Sequence, residues 1–333
     1  MDVLILLVSL AILTAGAELL VRSSSIVALR AGVSALFVGL TIVGFGTSSP
    51  EMAASMASTL KGNMGVSVGN VVGSNIFNVA VILALTAAIK PIRVGLSAVR
   101  RDLGVAIFAS LLLFIPMALG GVIPRWLGAL MFLGIIAYVT TAYFQDRSAK
   151  PADQALAEHE VRSSLVIEEP PKPTHAWYDS SAAHVGLIVV GLALLVAGAT
   201  WFVDSAVAIA KSFDVPDDVI GLTIVSAGTS MPELVTSIVA ARRGNPDIAV
   251  GNVIGSNIFN IFAITGACAM VAPQVVPNEM LYVDIPIMLL STAILVPLMK
   301  TGNQISRREG WGLLLGYGGY LTYLLVARTN AFG

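Results

Sequence analysis

Two glutamates stand where few sequences can hold them. Glu51 closes the run Gly46-Thr47-Ser48-Ser49-Pro50-Glu51, and 182 positions later Glu233 closes Gly228-Thr229-Ser230-Met231-Pro232-Glu233. Each lies within an apolar stretch, 36 to 60 or 219 to 241, that contains no Lys, Arg or His. A carboxylate at the centre of a bilayer costs roughly 2.5–3.5 kcal/mol even on the lenient insertion scale, so it must face a partner or a wet cavity. With no basic side chain in either stretch, a bound cation or a proton is the remaining partner. Thr47 and Ser48 precede Glu51 by four and three residues, as Thr229 and Ser230 precede Glu233. On a helix that spacing puts both hydroxyls on the carboxylate's face. Pro50 and Pro232 offer no amide to the carbonyls of Gly46 and Gly228 and push them aside. Each copy therefore supplies hydroxyls, one carboxylate and freed carbonyls. These are hard oxygen donors, which Ca2+ takes in sets of about six to eight and Na+ also accepts.

A second paired block is Gly69-Asn70-Val71-Val72-Gly73-Ser74-Asn75-Ile76-Phe77-Asn78, answered by Gly251 to Asn260. Asn70, Ser74 and Asn78 recur every fourth residue as one polar stripe, beside a groove made by Gly69 and Gly73 that admits a neighbouring helix. Ser74, Asn78, Ser256 and Asn260 are expected to ligate an ion directly or through water. For Asn70 and Asn252, near the helix ends, capping or interhelical hydrogen bonding stands level with ligation.

The elements that must position these groups are transmembrane helices. Of 333 residues 56% are apolar and 12% charged, with a mean hydropathy of +0.86. An average soluble protein is about 25% charged. The composition places the chain among polytopic all-α membrane proteins and excludes a cytosolic enzyme. A net charge of -1 leaves no basic field for nucleic acid, and a lone Cys268 excludes an intrachain disulfide. Ten segments can cross a hydrocarbon core: 2 to 21, 36 to 60, 65 to 89, 103 to 120, 124 to 144, 184 to 210, 219 to 241, 247 to 271, 281 to 299 and 308 to 327. The first lacks a basic flank and a cleavage signal and reads as a retained helix. Fifteen of the nineteen Lys and Arg fall in connections on one side if the N-terminus is outside. Lys and Arg stay cytoplasmic, so both termini are expected outside and the polar, proline-containing stretch 145–183 inside. That stretch is too short for a folded domain and reads as a linker between 1–144 and 184–333.

The two halves repeat. Val38 to Asn78 aligns without a gap on Ile220 to Asn260, with 23 of 41 positions identical. Five helices precede the linker and five follow it. An odd number per repeat inverts the second copy in the membrane, an architecture common among secondary transporters.

With these motifs the chain resembles the calcium/cation antiporters, and among them the sodium/calcium exchangers. The resemblance rests on the Gly-Thr-Ser-x-Pro-Glu and Gly-Ser-Asn-Ile-Phe-Asn signatures, each present twice, and extends to the ten-helix plan. It implies that Glu51 and Glu233 are central Ca2+ ligands shared with Na+, assisted by Thr47, Ser48, Thr229 and Ser230. It further implies that Ser74, Asn78, Ser256 and Asn260 complete the cluster, that the carbonyls of Gly44 and Ser226 serve outer Na+ positions, and that the first and sixth helices slide to alternate access. Several relatives carry Asp where this chain has Asn260, and that Asp accompanies potassium co-transport. Asn here resembles the potassium-independent exchangers and leaves two core carboxylates. Proton-exchanging members carry an Asn-centred motif before the Glu, whereas Thr-Ser-x-Pro here points to Na+.

The leading expectation is an electrogenic Na+/Ca2+ antiporter in a prokaryotic plasma (inner) membrane, with the bilayer as its surroundings, no obligate protein partner and no cofactor beyond its cargo ions. Ca2+/H+ exchange through protonation of the two glutamates is the alternative. A channel suits the paired Pro-broken helices less well than an occluded midplane site does. No catalytic motif supports an enzyme.

Overall fold

The computed structural model of the chain describes residues 2–94, 96–147, 180–212, 226–300 and 302–329, and it is mostly helical. The principal helices are α1 (Asp2–Ala31), α2 (Ser49–Leu60), α3 (Met64–Phe77), α4 (Leu96–Leu112), α5 (Arg125–Arg147), α6 (Ser181–Ser212), α7 (Met231–Arg242), α8 (Pro246–Phe259), α9 (Ile285–Ala293) and α10 (Arg307–Thr329). Short helical pieces extend or precede several of them. Seven stretches among the described residues are long and apolar enough to cross a membrane: Val3–Ala28, Met64–Ile89, Ala98–Ala118, Arg125–Asp146, Ser181–Ile209, Pro246–Val271 and Met280–Lys300.

The other expected spans take different forms. The stretch 36 to 60 is not one helix. It comprises Ala35–Val38, a π-helical turn over Gly39–Val43, and Gly44–Thr47, then breaks at Ser48 (φ -82°, ψ 8°) before α2 begins. Pro50 lies in the first turn of α2, where its missing amide is tolerated. Of 219 to 241, the described part repeats this break, with Ser226–Thr229 ending before Ser230 and α7 carrying Pro232 in its first turn. The last expected span is the single 23-residue helix α10. The linker expected at 145–183 lies largely outside the described residues, as do 213–225.

Both broken helices end alike. The Gly62 amide bonds Thr59 O and the Asn63 amide bonds Ser58 O, matched by Gly244 to Ala241 O and Asn245 to Ala240 O. Gly62 and Gly244 each have φ +80°, the left-handed conformation this helix stop requires.

Two apolar cores hold the helices. One joins α3, α4, α5, α8 and α9 through residues such as Val71, Leu103, Met131, Ile254 and Met288. The other joins α1, α6 and α7 through Leu13, Leu20, Leu195 and Val239. The long helices α1 and α6 approach at glycines: a Cβ on Gly16 would lie 2.9 Å from Gly191 O, and one on Gly191 2.9 Å from Gly16 O. Trp126, Leu130, Leu133 and Phe144 on α5 are exposed, as lipid-facing side chains are.

Contacts repeat at the offset seen in the sequence. The antiparallel strands β1 (Val122–Ile123) and β2 (Gln274–Val275) pair Ile123 with Gln274, and an isolated bridge pairs Ile305 with Ile92. Adding 182 to 123 gives 305, and adding it to 92 gives 274. The Tyr138 hydroxyl donates to Asp102 at 3.0 Å, and the equivalent Tyr320 hydroxyl donates to Asp284 at 2.7 Å.

Candidate functional site

The two breaks bring the halves together. Ser48 would ordinarily cap α2 with its hydroxyl, but that side chain makes no capping bond. Its Oγ instead donates to Glu233 Oε1 across the half boundary at 2.9 Å, and Ser230 Oγ donates to Glu51 Oε1 at 2.8 Å. The same-face geometry expected within each motif is thus corrected. The chain turns at Ser48 and Ser230, so each serine serves the other half's carboxylate. Ser74 Oγ lies 3.4 Å from Ser230 Oγ, and Ser256 Oγ donates to Gly44 O at 3.3 Å. Glu51, Glu233, Ser48, Ser230, Ser74 and Ser256 are all buried.

The remaining expected residues are placed as follows. Thr47 is buried, its Oγ1 3.0 Å from both Val43 O and Asn252 Oδ1, and its hydroxyl lies beside Glu233 of the other half. Thr229 is half-buried at the end of its short helix. Gly44 O already accepts the Ser48 amide at 3.2 Å. Ser226 begins the short helix before Thr229. The carbonyl of Gly46 released by Pro50 accepts from Ser49 Oγ at 2.7 Å; position 231 is Met and has no hydroxyl for the same role.

Asn70 and Asn252 are structural. Asn70 Nδ2 bonds Glu51 O at 3.2 Å and Ser55 Oγ at 2.9 Å, and Asn252 Nδ2 bonds Glu233 O at 3.2 Å and Ser237 Oγ at 3.0 Å. These bonds hold the backbone of each glutamate against the neighbouring helix and leave the carboxylates free.

At Asn78 and Asn260 the helices α3 and α8 each widen into a π-helical turn, Asn78–Leu83 and Asn260–Thr265. Such turns concentrate at functional sites. The first packs against α7 and the second against α2, the helices that carry Glu233 and Glu51. Asn78 Nδ2 donates to Asn257 Oδ1 at 2.9 Å and Asn260 Nδ2 to Asn75 Oδ1 at 3.0 Å. Asn75 and Asn257 carried no weight in the motif analysis because they lie off the four-residue stripe. Their identity in both halves was the signal that could have found them.

Six side-chain oxygens among the described residues are buried without a hydrogen-bond partner; two are Ser24 Oγ and Thr236 Oγ1, and the other four form two pairs at the 182-residue offset. Glu51 Oε2, Glu233 Oε2, Asn78 Oδ1 and Asn260 Oδ1 are buried and have no hydrogen-bond partner. An unsatisfied buried acceptor costs about 1–3 kcal/mol, more if charged, and four recurring in two equivalent pairs mark a place that accepts something electropositive. The donors are carboxylate, amide and hydroxyl oxygens. Two carboxylates joined by neutral amide and hydroxyl oxygens suit a hard cation.

Known proteins carry the same plan. The chain matches the family described as sodium/calcium exchanger protein over residues 1–144 and 183–326. It is 34% identical to a sodium/calcium exchanger of Methanosarcina acetivorans, with 96% of this chain and 97% of that protein aligned. It is 32% identical to an inner membrane protein of Escherichia coli K12, over 97% and 95%. A solved structure of the sodium-calcium exchanger NCX_Mj, soaked with zero Na+ and Ca2+, superposes with a TM-score of 0.79 at 27% identity, over 97% of this chain and 98% of that one. With both halves matched and close to the full length aligned to relatives above 30% identity, the chain belongs to the sodium/calcium exchanger family.

Proposed function

We propose that this membrane protein exchanges Na+ for Ca2+ by alternating access at one site between its two halves. The observation that carries the reading is the set of four buried, unpartnered oxygens on Glu51, Glu233, Asn78 and Asn260. Ser48, Ser230, Ser74 and Ser256 supply hydroxyls, Thr47 and Thr229 flank them, and the carbonyls of Gly44 and Ser226 serve outer Na+ positions. Ca2+ and Na+ are cargo, and no cofactor is required.

The charge of the site sets the energetics. Two ionised carboxylates neutralise one Ca2+, whereas three Na+ leave one excess positive charge, so exchange at that ratio moves charge and responds to membrane potential. Asn260 adds no third carboxylate, and transport is K+-independent. Residues 1–144 and 184–333 form inverted five-helix halves joined by a cytoplasmic linker at 145–183, with both termini outside. The paired contacts at an offset of 182 support this arrangement. The tightly packed α1 and α6 move as a unit over the apolar surface that they share with α7.

The test is 45Ca2+ uptake into proteoliposomes. Uptake driven by an outward Na+ gradient, without K+ and at equal pH on both sides, is expected. Uptake driven only by a pH gradient would assign Ca2+/H+ exchange instead, and a strict K+ requirement would remove K+-independence.

A further inference from the structure

The four-asparagine network has only one self-consistent arrangement. A backbone carbonyl can only accept, and Asn75 Nδ2 donates to Asn257 O at 3.3 Å while Asn257 Nδ2 donates to Asn75 O at 3.3 Å. These two bonds fix both amides with Oδ1 on the opposite side. Asn75 Oδ1 then requires a donor from Asn260, and Asn257 Oδ1 one from Asn78, at 3.0 and 2.9 Å. Turning Asn78 over would set oxygen against oxygen, and turning Asn257 over would set its oxygen against the Asn75 carbonyl. The carbonyl oxygens of Asn78 and Asn260 are thereby forced to the other side, where both are buried without a partner.

We propose that Asn75 and Asn257 are positioning residues that hold Asn260 and Asn78 with their carbonyl oxygens turned into the ion site, and that Asn75 makes position 260 selective for an amide over a carboxylate. The proposal rests on the reading of Glu51, Glu233, Asn78 and Asn260 as the cation site. Without the Asn75 acceptor, the Asn260 amide can rotate and present its NH2 group to a cation, which repels it. An Asp at 260 has no proton for Asn75 Oδ1. It would force Asn75 to turn its own NH2 group over and abandon Asn257 O. A carboxylate also offers oxygen in either orientation, so its presentation does not depend on residue 75. The two positions are therefore coupled in ion affinity. A network that merely joined α3 to α8 would change stability and leave affinity alone.

The experiment is a double-variant cycle on the purified full chain, using the Ca2+-dependent rise in thermal midpoint with Ca2+ as the only added cation. Asn75→Ala is expected to raise the half-saturating Ca2+ about tenfold when residue 260 is Asn, and no more than about twofold in the Asn260→Asp background. The mirror cycle, Asn257→Ala with and without Asn78→Asp, gives the same readout if Ala at 75 does not fold. Equal fold-changes in the two backgrounds, or a lower midpoint with unchanged half-saturation, overturn the proposal. If wild-type protein shows neither Ca2+-dependent stabilisation nor Ca2+ flux, it is the reading of the site that fails. If it shows both and the cycle is additive, only the positioning role fails.

Discussion

Each carboxylate accepts a serine hydrogen bond from the opposite half, from Ser48 to Glu233 at 2.9 Å and from Ser230 to Glu51 at 2.8 Å, and its second oxygen has no hydrogen-bond partner. A hydrogen bond to a charged group contributes about 1.5–3 kcal/mol, and here it also fixes the direction of the bare oxygen. Ser48→Ala and Ser230→Ala are each expected to raise the KM for Ca2+ by roughly ten- to a hundredfold and to similar extents, because the two bonds are equivalent. Ser49→Ala, which loses only the bond to Gly46 O, is expected to stay within about threefold of wild type. A large effect at Ser49 with none at Ser48 or Ser230 would contradict this assignment. The identities of these serines were legible from spacing and repetition. Their cross-pairing was not, because the same-face argument is local, whereas the bond depends on two stretches 182 positions apart meeting in space.

Hydropathy locates most of the helices, and Pro50 and Pro232 mark where two of them break. The π-helical turns starting at Asn78 and Asn260 have no such mark, since polar residues at every fourth position read as ordinary α-helix. The glycine grooves were legible as a pair, and the described residues show how one of them is packed. A Cβ on Gly255 would lie 2.3 Å from Leu40 O and 2.7 Å from Leu40 C, backbone atoms that cannot turn aside, whereas one on Gly73 meets nothing described within 4 Å. The segment equivalent to the one around Leu40 lies in 213–225, outside the described residues. Overpacking of this kind costs about 1–3 kcal/mol. Gly255→Ala is expected to lower the thermal midpoint in detergent by several degrees. An unchanged midpoint would mean that Leu40 does not pack against Gly255.

Across the whole molecule, α1 lies along α7, and the ion pair between Glu18 and Arg243 fastens it at the far end of that helix. Nearly every residue of α7 is buried or half-buried, whereas Ala53, Ala57 and Leu60 on the equivalent helix α2 are exposed. The two equivalent helices are thus unequally covered, an inequality that fits the alternating access proposed above. No repeat pattern in the sequence could disclose that inequality, because the repeat encodes what the halves share. The proposed cytoplasmic side rests on the distribution of Lys and Arg. A single cysteine introduced at Ala155 is expected to be labelled by an impermeant reagent only from the cytoplasmic side, and one at Asn330 only from outside. The native Cys268 is buried and gives little background. The reverse labelling pattern would invert the topology.

The claim on which the rest depends is that Glu51 and Glu233 together bind the exchanged ions. Na+-gradient-driven 45Ca2+ uptake should be measured side by side for wild type, Glu51→Gln and Glu233→Gln in K+-free proteoliposomes at equal pH, with thermal unfolding as the check on folding. Uptake by wild type is expected, with loss of at least about a hundredfold in each folded variant, because a divalent charge in a low-dielectric site requires both carboxylates. Wild-type rates in either variant would contradict it.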